Sequence, residues 1–122
     1  MKLRKLSASA VKNKRVIFRV GYDVPLTKKG KGFVVADDSR IKASLETLRF
    51  LQKQNATIII LTWLKRPGGK VVEDLRLDPI AKHLSELIKH PVYKLDECVG
   101  KDVEEFIDTV APGSIVMLEN VR

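Results

Sequence analysis

Ala56-Thr-Ile-Ile-Ile-Leu-Thr62 is an unbroken β-branched and apolar run with no polar alternation. A strand built from it can turn neither face to water. Runs of this kind belong in the middle of a parallel sheet, with helices packed above and below. Such a strand needs neighbours, and the chain supplies three more short runs of similar character. Arg15-Val-Ile-Phe-Arg-Val20 comes before it; Val92 to Leu95 and Ser114-Ile-Val-Met-Leu-Glu119 follow.

Between these runs the apolar period becomes helical. Asp37-Asp38-Ser39 offers N-cap chemistry, and Ile41, Leu45, Leu48 and Leu51 then recur at helical spacing. They predict one amphipathic helix ending near Asn55. Asp78-Pro79 predicts a second start, with Asp78 as cap and proline in the first turn; Ile80, Leu84, Leu87 and Ile88 form its stripe, and His90-Pro91 stops it. Val103, Phe106, Ile107 and Val110 mark a third helix closed by Ala111-Pro112-Gly113, with Asp102, Glu104 and Glu105 near its positive end. Thr27 to Gly32 reads as an exposed turn and Phe33 to Ala36 as a brief extended piece. The alternation of strand and helix predicts an α/β fold: a three-layer Rossmann-like parallel sheet, helices on both faces, joined by right-handed crossovers. No linker divides residues 1–122, which read as one domain. The chain ends just after a strand, so one face of the sheet is expected to be thinly covered.

Composition narrows the class. An apolar fraction of 44% and a charged fraction of 31% are ordinary for a globular chain and argue against disorder. No apolar stretch approaches the roughly 18 residues a membrane-spanning helix needs, so no membrane partner is expected. Met1 to Arg15 is basic but lacks the apolar core of a secretory signal. One cysteine, Cys98, cannot form an internal disulfide and has no neighbours at metal-ligand spacing. It reads as a small buried hydrophobe in a reducing, cytoplasmic setting. The net charge of +8 favours an anionic partner without naming it. With no basic stretch interleaved with aromatics and no nucleic-acid motif, nucleic acid is not expected.

In an open α/β sheet, ligands bind beyond the carboxyl ends of the strands. Gly21-Tyr-Asp23-Val-Pro25 follows the first strand, and Arg40 opens the next helix. Trp63-Leu-Lys65-Arg66-Pro67 follows the second, and Asn120-Val-Arg122 the last. One arginine at a strand end is ordinary solvated surface; three on one rim outline an anion site, because the guanidinium fork matches carboxylate and phosphate. For Trp63, packing against the core is the default and stacking on a ligand the alternative. The chain has neither a G-x-x-x-x-G-K-[ST] phosphate loop nor a G-x-G-x-x-G turn, so it carries no recognisable nucleotide cradle. Its serines lack the companions of a nucleophilic triad. His83 and His90 read as structural or solvated.

The same segments carry a family resemblance. Arg19-Val-Gly-Tyr-Asp-Val-Pro25 resembles the R-V-D-x-N-V-P segment of phosphoglycerate kinases, and Asp37-Asp-Ser-Arg-Ile41 their D-D-[ST]-R-I. Leu61-Thr-Trp-Leu-Lys-Arg-Pro67 resembles L-[ST]-H-L-G-R-P, and Leu118-Glu-Asn-Val-Arg122 resembles L-E-N-[LV]-R. The likeness covers essentially the whole chain, in order and at matching spacing. It implies a two-domain enzyme that moves a phosphoryl group between 1,3-bisphosphoglycerate/ADP and 3-phosphoglycerate/ATP, with magnesium on the nucleotide. The N-terminal half of such an enzyme binds the small anionic glycerate substrate; the C-terminal half binds Mg-ATP or Mg-ADP. The resemblance makes Arg40 the catalytic arginine and Arg66 and Arg122 the holders of the substrate's distal phosphate. Gly21 stands where the family has an aspartate that takes a hydrogen bond from the substrate hydroxyl, Asp23 where it has asparagine, Trp63 where it has a phosphate-contacting histidine and Lys65 where it has glycine. These departures imply weakened or altered substrate binding. The nucleotide-binding half is not among the 122 residues, so this piece is expected to hold no cofactor or metal and to be inactive alone. The competing reading is a non-catalytic module of the same shape that binds another anion or a protein.

Overall fold

A computed structural model describes residues 6–122; Met1 to Lys5, part of the basic N-terminal stretch, lie outside it. The elements are α1 (Ala8–Val11), β1 (Arg15–Arg19), β2 (Leu26–Lys29), β3 (Gly32–Val35), α2 (Ser39–Ala43), α3 (Leu45–Lys53), β4 (Thr57–Leu61), a 3-10 turn (Glu73–Leu75), α4 (Asp78–Ile88), β5 (Val92–Lys94), α5 (Lys101–Thr109) and β6 (Ile115–Met117). The expected parallel sheet is present, in the order β1-β4-β6-β5. The isoleucine-rich run is β4, an interior strand between β1 and β6.

Register explains why β4 lacks alternation. Ile58 and Ile60 lie beside Ile115 and Met117 of β6, on the face covered by the larger core with Ile41, Leu48, Leu51, Ile80 and Leu84 from α2, α3 and α4. Ile59 lies beside Val116 on the other face, packed with Val103 and Phe106 of α5. Both faces of β4 are therefore dry. The second layer is thin, as expected: Ile17 of β1 pairs with Ile59 on the α5 side yet is 67% exposed, because α5 reaches the β5 side of the sheet, where Phe106 meets Tyr93 edge-on at 5.7 Å.

Three local expectations need correction. Thr27 to Gly32 is not a free turn: β2 and β3 form an antiparallel hairpin, tightened at Gly30 with φ +62°. The helix expected from Ser39 to Asn55 is two, broken at Ser44. The Ser44 hydroxyl donates to the Ile41 carbonyl, so the buried Tyr22 hydroxyl donates to Ser44 Oγ. A serine that bonds its own preceding turn loosens a helix at that point. Third, Asp78 is the first residue of α4 and Leu77 the cap, whose amide hydrogen-bonds Glu119 instead. As expected, α4 stops at His90-Pro91: its last residue is Ile88, and Lys89, with φ +54°, takes the left-handed conformation of a helix end.

Candidate functional site

The carboxyl ends of β1 and β4 adjoin, since Arg19 pairs with Leu61, and their loops form one surface. Two anchors hold it. The Tyr22 amide donates to the buried Thr62 hydroxyl, and the Lys65 amide donates to Asp23 Oδ1 at 3.1 Å. The second anchor holds Lys65 at φ +52°, a conformation that suits glycine better.

Arg40 is exposed on α2 and donates through Nη1 to the Asp23 carbonyl oxygen at 3.1 Å. Asp37 sets the turn before it by accepting from the Ser39 amide and hydroxyl, bonds that hold its carboxyl below the ordinary range. Asp23, Pro25, Ser39, Arg40 and Lys65 line an open cleft of about 440 Å³. Asp38 turns the other way, toward His83 Nε2 at 2.9 Å, and this hydrogen bond lowers its carboxyl pKa.

Arg122 lines a different open cleft, of about 370 Å³, with Gly69, Val71, Glu97, Cys98 and Asn120. Its backbone is tied down: the amide donates to Asn120 Oδ1, and the carbonyl accepts from the Gly69 amide. Asn120 in turn donates to the Leu64 and Leu75 carbonyls, which fixes the β6 end against the β4 loop. The Arg122 guanidinium carbon lies 4.9 Å from the centre of the Trp63 ring, and that of Arg19 lies 4.8 Å from it. Trp63 is half-buried and rests against Gly21, where an added Cβ would meet its Cζ2 at 3.4 Å.

The residues expected at the site thus fall into two sets. Arg40, Asp23 and Lys65 share the first cleft; Arg122, Trp63 and Gly21 share a separate wall. Arg66 is exposed between Lys65 and the buried Pro67, and among the described residues no ion pair or hydrogen bond ties its side chain to either set. Arg19 is the member a reading of loops passes over: it is the last residue of β1, and only the approach of Trp63 from the β4 loop brings it onto the rim. The signal available was its position, an arginine at the carboxyl end of a strand. His83 and His90 are structural, one bonded to Asp38 and the other to the Pro91 carbonyl. Cys98 is partly buried beside the α5 cluster.

The sequence profile described as phosphoglycerate kinase matches residues 6–122. The chain belongs to the phosphoglycerate kinase family. It is 43% identical to the phosphoglycerate kinase of Synechococcus sp. (strain RCC307) over 98% of this chain and 29% of that protein. It is 45% identical to that of Dictyoglomus turgidum over 92% of this chain and 27% of that protein. Among solved structures, phosphoglycerate kinase from Pyrococcus horikoshii OT3 superposes with a TM-score of 0.78 at 33% identity, covering 92% of this chain and 26% of that one. The Coxiella burnetii phosphoglycerate kinase gives 0.71 at 32% identity, covering 96% and 28%. This chain therefore spans less than a third of the length of these phosphoglycerate kinases. Among its described residues no group of three or more His, Cys, Asp and Glu is arranged to hold a metal ion, and no helix is long and apolar enough to cross a membrane.

Proposed function

We propose that this chain is the N-terminal, glycerate-binding part of a phosphoglycerate kinase, a single domain that contributes an anion site to glycolytic phosphoryl transfer between 1,3-bisphosphoglycerate/ADP and 3-phosphoglycerate/ATP. The observation that carries this reading is the family match running through every strand-end loop of the rim. In this reading Arg40, oriented by the Asp23 carbonyl, neutralises charge on the phosphoryl group in flight, the kind of electrostatic stabilisation that dominates such transfers. Arg66 and Arg122 hold the phosphate at the far end of the substrate, with Trp63, Gly21 and Asp23 shaping the space between. In this reading Mg-ATP or Mg-ADP belongs to the family's nucleotide-binding domain. The 122-residue chain alone is therefore inactive, and the complete enzyme works in the cytoplasm.

Calorimetric titration of the folded chain with 3-phosphoglycerate tests the reading. Binding is expected at millimolar concentration or tighter, and Arg40→Ala with Arg66→Ala together should weaken it by at least a hundredfold, since each lost charge-assisted contact costs about 1.5–3 kcal/mol. A flat titration of folded protein would overturn the assignment. The stacking of Trp63 with Arg19 and Arg122 supports a second reading, a non-catalytic module with altered anion preference. The two part on turnover: joined to a nucleotide-binding domain of the family, the chain should convert 3-phosphoglycerate and ATP in the first reading only.

A further inference from the structure

The wall at the ends of β1 and β4 offers positive charge and an aromatic ring, and several of its other polar groups hold its loops together. The Arg19 and Arg122 guanidinium carbons lie 4.8 and 4.9 Å from the Trp63 ring centre. Among the described residues neither guanidinium joins an ion pair. Groups that would read a ligand hydroxyl hold the loops together instead. Thr62 Oγ1 is buried and accepts from the Tyr22 amide, one oxygen of Asp23 accepts from the Lys65 amide, and Asn120 bonds Leu64, Leu75 and Arg122. Gly21 lies against the indole: a Cβ there would meet Trp63 Cζ2 at 3.4 Å and Cη2 at 3.7 Å, ordinary van der Waals contact.

We propose that Trp63, which rests against Gly21, is a specificity-determining residue that makes this wall select ligands by phosphate charge and not by hydroxyl hydrogen bonding. The indole holds two otherwise unneutralised guanidinium groups at fixed places through cation–π contact, and their ligand class is a phosphomonoester dianion. Trp63 acts through the arginines and is a positioning residue. The inference rests on the anion-site reading above, but it adds a claim that can fail alone.

Trp63 is the one tryptophan in the chain, so its emission reports occupancy of this wall. The folded chain is titrated with 3-phosphoglycerate, with its hydroxyl-free analogue 3-(phosphonooxy)propanoate and with glycerate, following heat and Trp63 fluorescence together. The two phosphate esters should bind within about threefold of each other and shift the emission alike, while glycerate binds at least thirtyfold more weakly. Trp63→Ala should weaken both esters by about fivefold to thirtyfold equally, and Trp63→Phe, which keeps an aromatic face, should restore most of the loss. Gly21→Asp combined with Trp63→His should recover discrimination, with the hydroxyl-bearing ester preferred by tenfold or more. If native chain binds 3-phosphoglycerate but the analogue is tenfold weaker, or if both bind without changing Trp63 emission, the inference is wrong and the anion-site reading stands. If neither ester binds the folded chain, both fall.

Discussion

Two clusters of cations lie at the same end of the sheet and have opposite fates. Around Glu119, 2% exposed at the end of β6, Lys94 and Arg76 are neutralised: Lys94 Nζ pairs with Glu119 and with Asp78, and Arg76 Nη1 reaches Glu119 Oε2 at 3.2 Å. Glu119 also accepts from the Leu77 and Asn120 amides, so its lone pairs are filled. Hydrogen bonding to Glu73 and the nearby carboxylates raise the Arg76 pKa further. On the rim, Arg19, Arg40 and Arg122 are exposed, and among the described residues none pairs with a carboxylate; their partners are an indole and a backbone carbonyl. A charge whose partner lies within the fold serves the fold. A charge held in place by groups that leave its field intact is available to a ligand.

Glu119→Ala should have the largest effect on folding. It leaves the nearly buried Lys94 with Asp78 as its one carboxylate and the two amides without their acceptor, and breaking a buried pair costs about 3–5 kcal/mol. Urea denaturation measures it; a change under 1 kcal/mol would erase the contrast between the clusters. Arg40→Ala is the mirror image: ligand affinity should fall at least tenfold while the urea midpoint hardly moves, because the side chain is exposed and makes one hydrogen bond.

Ser44→Ala sharpens the comparison from inside the core. It removes the acceptor of the buried Tyr22 hydroxyl, a group whose pKa burial raises, and an unpaired buried hydroxyl costs about 1–3 kcal/mol. Tyr22 is followed by Asp23 in the loop that carries the cleft, so a modest loss of affinity should accompany the loss of stability. Lys65→Gly should be near neutral or stabilising by up to about 1 kcal/mol, since it relieves a positive φ at the cost of a freer unfolded chain.

The smallest effect is the acid limb of stability. The His83 hydrogen bond to Asp38 lowers that carboxyl below its ordinary value of 3.8. A depressed folded-state pKa stabilises above the unfolded value and is lost as pH falls through the folded one. Asp38→Asn should flatten the fall in urea midpoint below about pH 4. An unchanged slope would show that the pair does not link α2 to α4 in solution.

The family's motifs could be read in the string, and so could their placement at strand ends. Arg19 could not, because its partner Trp63 lies on another strand's loop and reaches it through the parallel pairing of β1 with β4. Glu119 read as the polar end of a strand; its burial depends on Arg76 and Leu77, which are more than 40 residues away in the chain. The break at Ser44 was hidden for a related reason: the apolar period runs through it unchanged, and the bonds to Ile41 and Tyr22 make the difference.

By itself the sequence determined the period of each main element, and with it the α/β class. Unalternating β-branched runs have nowhere to go except a covered parallel sheet, and the stripes between them need that sheet to cover. The tertiary structure alone decided the strand order β1-β4-β6-β5, which cations are neutralised and which are left free. The physical reason is range. Periodicity is a property of neighbours in the chain, whereas burial and charge compensation depend on groups brought together from distant segments once the sheet has assembled.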